Sequence, residues 1–108
     1  MKVNKTISIT ILAALALSAC SWVKPTEGGA RVVVAEPYNV RDCTRVSTLT
    51  TSVKHTIGSM QRKPEKVEQE LTTLARNEAA IRGGDTIVPR GDVKDGARTF
   101  EVYRCAGS

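Results

Sequence analysis

The chain has little from which to build a catalytic centre. Its 108 residues include a single histidine, His55, and neither a Gly-x-Ser-x-Gly stretch nor a Cys-x-x-Cys pair. The local signatures of an acyl-transfer nucleophile and of a dithiol redox centre are therefore missing. A triad needs a base and an acid that orients it, and His55 has no recognisable orienting acid. The acids do not cluster at ligand spacing, so no metal site and no cofactor is implied, and a lone loop histidine reads as solvated. Long apolar runs are scarce too. The run from Thr6 to Leu17 is too short for a comfortable membrane span.

What is present begins at the N-terminus. Met1 to Lys5 carries two lysines, Thr6 to Leu17 is uncharged and rich in Ile, Leu and Ala, and small residues follow. This is the order of a secretory signal. Removing residues 1–19 leaves 89 residues, enough for one small domain, and lowers the formal charge from +5 to +3 because Lys2 and Lys5 leave. That surplus is a weak argument for nucleic acid and a mild one for anionic headgroups or cell-wall polymers. A domain this small buries a modest share of its surface and is marginal without a staple.

The end of the signal, Leu17-Ser18-Ala19-Cys20, resembles the lipobox of bacterial lipoproteins. The resemblance implies diacylglyceryl transfer to the Cys20 sulfur, cleavage before it and acylation of the new N-terminus. Two or three acyl chains hold a protein to a bilayer where one does not. Ser21 stands where an Asp would signal inner-membrane retention, which implies an outer-membrane anchor with the domain facing the periplasm. Residues 1–19 are thus expected to be a signal peptide, 20–30 a lipidated N-terminus and flexible tether, and 31–108 the folded domain. With Cys20 given to lipid, Cys43 and Cys105 remain as an even pair in an oxidising compartment, and a structural disulfide between them is expected. Closing that 63-residue loop removes roughly 4 kcal/mol of unfolded-state entropy.

The mature sequence reads β-β-α-β-β. Arg31 to Ala35 is a β-branched run ended by Pro37, and Thr44 to Val53 is dense in Thr, Val and Ser. His55 to Lys63 reads as a loop. Pro64 suits the first position of a helix with Glu65 and Glu68 in its opening turns, and Gly83-Gly84 ends it after Arg82. Its expected apolar face is Val67, Leu71, Leu74 and Ile81 with Ala75 at the edge. Glu78 falls inside that stripe and reads as a side chain reaching past Ala75 and Ala79 to water. Thr86 to Val88 is a third strand ending at Pro89, Arg90 to Ala97 a Gly- and Asp-rich turn, and Thr99 to Cys105 the last strand. Phe100 and Val102 take one face of it, Glu101 and Tyr103 the other.

The expected disulfide constrains the topology. Cys43 opens strand two and Cys105 closes strand four, so these ends meet, as antiparallel neighbours do. A hairpin makes strands three and four antiparallel, and strands two and three then run parallel, as a helical crossover requires. The fold class is α+β, one helix packed on a four-stranded mixed sheet with one disulfide.

The lipobox, the Val-rich strand, the helix ending Asn-Glu-Ala-Ala-x-x-Gly-Gly-Asp-Thr-Ile-Val and the terminal Val-Tyr-Arg-Cys resemble a family of small enterobacterial-type lipoproteins whose domain has no assigned function. The likeness covers about Arg31 to Cys105. More distantly the domain resembles the outer-membrane stress-sensor lipoprotein of the Rcs phosphorelay. That sensor has four domain cysteines where this chain has two, so the likeness implies a fold and one cross-link only.

The remaining motifs are bland except one. Arg90-Gly91-Asp92 spells an integrin tripeptide but reads as a turn, and Gly83-Gly84-Asp85 ends a helix rather than opening a phosphate loop. Lys54, Arg62, Lys63 and Lys66, with Ile57 and Met60 and a single acid, form the best candidate surface. It reads either as a solvated loop or as a contact for lipid headgroups, an anionic glycan or an envelope protein. The expectation for function is non-enzymatic binding or sensing in the cell envelope. The alternative is a cell-wall or lipopolysaccharide contact through residues 54–66.

Overall fold

The computed structural model describes residues 23–57 and 60–106. The expected signal peptide and Cys20 lie outside them. Two strands form the heart of the fold. β2 (Thr44–Ser52) runs antiparallel to β6 (Ala97–Arg104), which also pairs antiparallel with β5 (Thr86–Lys94). A short β1 (Val33–Val34) joins β5 in parallel, giving a mixed sheet in the order β1-β5-β6-β2. The crossover from β2 to β5 is α1 (Pro64–Ile81), packed on one sheet face. As expected, the fold is α+β with one helix on a four-stranded mixed sheet. Cys43 and Cys105 are joined, with Cα atoms 4.5 Å apart, where β2 starts and β6 ends.

The core lies between helix and sheet. Leu49, Ile87, Phe100 and Val102 supply the sheet side, Ala75 and Ala79 the helix side, and Val32 closes it. Phe100 is fully buried. The two alanines let the helix approach closely. The helix ends in a Schellman turn, with Gly84 N–H donating to Ala79 O at 2.8 Å and Gly83 N–H to Ala80 O at 3.1 Å. Gly83 has φ +86°, and a Cβ on Gly84 would collide with Val102 Cγ1.

Four expectations need correction. Ile81 is 77% exposed and Ala79 takes the core position. At 100° per residue the two lie about 200° apart around the helix, so they cannot share a face. Strand β5 does not stop at Pro89 but continues to Lys94. Ile87 turns its carbonyl to Ala35 N–H, just after β1, so residue 89 turns the same way, past the end of β1, where a missing N–H costs nothing. Arg90, Gly91 and Asp92 therefore lie within a bulged strand rather than a turn, and the turn is Asp95-Gly96 at φ +52° and +73°. Finally, residues 55–63 are not a plain loop. They contain a small hairpin of β3 (Thr56–Ile57) and β4 (Met60–Gln61).

The stretch expected to be a tether also has structure from Lys24 on. Asn77 accepts from Thr26 N–H at 2.8 Å and donates to Lys24 O at 3.0 Å, and Arg76 donates to Ala30 O and Val32 O. Gly29 is buried where a Cβ would strike Asn77. This segment spends its backbone polar groups on two polar residues of the helix, which composition alone does not reveal.

Candidate functional site

Two surfaces carry concentrated charge. The first is the basic end around the hairpin. Arg62 is drawn inward there. Its guanidinium grips both carboxylate oxygens of Glu70, one at 3.2 Å, and donates to Lys54 O at 3.0 Å. Glu70 is only 5% exposed. The hydrogen bond to Glu70 raises the Arg62 pKa, burial works against it, and the carboxylate's charge adds to the rise. Arg62 is thus a structural partner, while Lys54, Lys63 and Lys66 lie at the surface. Glu78, the acid singled out by the sequence, sits half in water and pairs with Arg82 at 3.2 Å. The buried acid is Glu70, three residues after Val67 and beside Leu71, a spacing that could have marked it.

The second surface is the sheet face turned away from α1. Register places Arg45, Thr48, Thr50 and Ser52 of β2 beside Thr99, Glu101 and Tyr103 of β6, and these beside Arg90 and Val88 of β5. Arg45 gets there through a bulge. The extra residue, Val46, sends Ser47 toward the helix while Arg45 turns outward and donates to Thr48 Oγ1 at 2.6 Å. Glu101 is the hub. Tyr103 donates to it at 2.8 Å, Arg90 lies at 3.4 Å and Arg45 at 3.9 Å. That hydrogen bond, then burial, then the charge of Glu101 raise the Tyr103 pKa, while Arg90 and Arg45 pull it down. Thr50 and Thr99 share a hydrogen bond at 2.9 Å. The half of this face near β5 is buried at Thr86 and Val88, and the half near β2 is open.

Chemically, two guanidiniums around one carboxylate leave N–H donors and positive charge facing water. The hydroxyls beside them can donate or accept. Such a face can hold an anion and neighbouring polar groups, and it offers no free nucleophile–base pair. His55 lies apart from it, lining a hollow of about 320 Å³ with Arg62, Glu68 and Asp95. Among the described residues no three His, Cys, Asp or Glu side chains are grouped to hold a metal ion, and no helix is long and apolar enough to cross a membrane. A third feature is a groove of about 740 Å³ along the outer side of α1, walled by Val23, Lys24 and Pro25 on one side and by Glu65, Gln69 and Arg76 among others on the opposite side.

A domain of unknown function, DUF4156, matches residues 23–105. The chain belongs to the DUF4156 family. The DUF4156 match opens at Val23, ahead of the expected domain start at 31, where the segment that docks on α1 begins, and closes at the second half-cystine. No curated protein and no solved structure matches the chain.

Proposed function

We propose that this DUF4156 protein is an outer-membrane-anchored, periplasm-facing lipoprotein whose domain binds or senses an envelope partner without catalysing a reaction. The lipobox-like Leu17 to Cys20 supports the anchor. The observation that carries the binding reading is the open sheet face, where the Arg45 and Arg90 side chains, 60% and 52% exposed, converge on one carboxylate. The partner it suits carries anionic groups, as an acidic protein surface or an anionic glycan does. The likeness to small enterobacterial-type lipoproteins, and more distantly to the Rcs sensor domain, belongs to this proposal and fits an envelope setting.

Photo-crosslinking in intact envelopes tests it. A photoreactive residue at Thr50 should give discrete adducts, and Arg45→Glu with Arg90→Glu should remove them. A control at exposed Arg41, beyond the start of β2, should give none of the same products. If Thr50 yields no discrete adduct, or adducts indifferent to both arginines, the sheet face is not the binding surface.

A further inference from the structure

The groove along α1 places the residues nearest the expected anchor, Val23 to Pro25, against the helix. Asn77 holds Thr26 and Lys24 near the end of the helix. Val23, Lys24 and Pro25 line a groove whose helix side runs from Glu65 to Arg76 and no further, so the chain ahead of Thr26 lies beside the N-terminal two-thirds of the helix. Cys20 lies three peptide steps before Val23, a reach of at most about 11 Å. That end of α1 carries Lys63 and Lys66, and the neighbouring hairpin adds Lys54. The acids there are partly spent. Glu70 pairs with Arg62 and Glu68 with Arg98 at 3.5 Å, while exposed Glu65 and Asp95 offset part of the basic charge of Lys54, Lys63, Lys66 and Lys94. The opposite end of the helix, at Ile81, lies about 26 Å away.

We infer that the domain rests on its own bilayer with this end down, Lys54 and Lys63 facing anionic lipid headgroups. The inference depends on the proposed lipidation of Cys20. An anchor this short keeps the domain at high effective concentration near the surface, so a few lysines suffice to orient it. Each one near an anionic surface favours the contact by about fivefold. In this pose the strands, which run alongside the helix, stand up from the membrane and the arginine face of the sheet looks sideways into the periplasm.

Site-specific quenching tests the pose on the full lipidated protein. Thr56→Cys at the hairpin and Ile81→Cys at the far end of the helix each receive a fluorophore, with Cys43 and Cys105 held in their disulfide. The protein is reconstituted in vesicles of phosphatidylethanolamine and phosphatidylglycerol with a quencher on the headgroups. The probe at 56 should be quenched more strongly than the probe at 81, and Lys54→Glu with Lys63→Glu should weaken that preference by at least about fivefold per lysine. Equal quenching, or stronger quenching at 81, in protein that floats with the vesicles overturns the pose while sparing the anchor. Protein that does not float overturns the lipidation of Cys20 and the pose with it.

Discussion

The two ends of the domain are held by different chemistry. At one end Cys43–Cys105 joins the start of β2 to the finish of β6, and Asp85 accepts from Cys105 N–H at 2.9 Å and Ala106 N–H at 2.8 Å. At the other, Arg62 and Glu70 hold a two-residue hairpin to the helix, and lysines face water. The contrast shows a division of labour. The cross-linked end sets the register of three strands, and so places Arg45, Glu101 and Arg90 on one face. The basic end displays surface charge on Lys54 and Lys63.

Breaking the cross-link should have the largest effect. Cys43→Ser with Cys105→Ser should cost about 4 kcal/mol in chemical denaturation, because the loop between them is long. The damage should be uneven. Hydrogen exchange should quicken first at Thr44, Arg45 and Arg104, and last at Phe100. A uniform rise along both strands would mean that the cross-link stabilises the whole sheet rather than one end.

Asp85 offers a smaller, pH-dependent break at the same end. Burial raises its pKa, but hydrogen bonds from Cys105, Ala106 and Thr86, with the charge of Arg104, outweigh it and leave the pKa below the ordinary value. In the unfolded chain the carboxyl titrates near about 3.9. The stabilisation is therefore fully present above that pH and is lost as pH falls through the lower folded value. Asp85→Asn should cost stability at pH 7 and flatten the acid limb of the stability profile. An unchanged acid limb would show that another carboxylate governs it.

The framework was readable in the sequence because its signals are local or covalent. Val and Thr runs marked β2, Pro64 and Gly83-Gly84 marked the helix, and the cysteine pair tied β2 to β6. What escaped depends on register. Pro89 reads as a strand end until the shortness of β1 is known. Arg45 joins Glu101 only through the bulge at Val46, and Arg90 only once β5 extends past the proline. Glu70 was hidden differently, as an acid on a face where Glu78 drew attention. Its arginine partner lies in a stretch that reads as a loop.

The smallest effect is expected at the last turn of α1, where the sequence misjudged the buried face. Ile81 is 77% exposed and Ala79 is fully buried. Removing a surface isoleucine loses almost no buried apolar area, so Ile81→Lys should change stability by less than about 0.5 kcal/mol. Its neighbour two residues earlier behaves oppositely. Ala79 touches the core that Val102 and Ile87 fill, and Ala79→Leu should cost about 1–3 kcal/mol through overpacking. The pair reads the rotation of the helix on the sheet directly. If Ile81→Lys were the costlier change, the helix would be turned by half a revolution, with the face predicted from the sequence against the sheet.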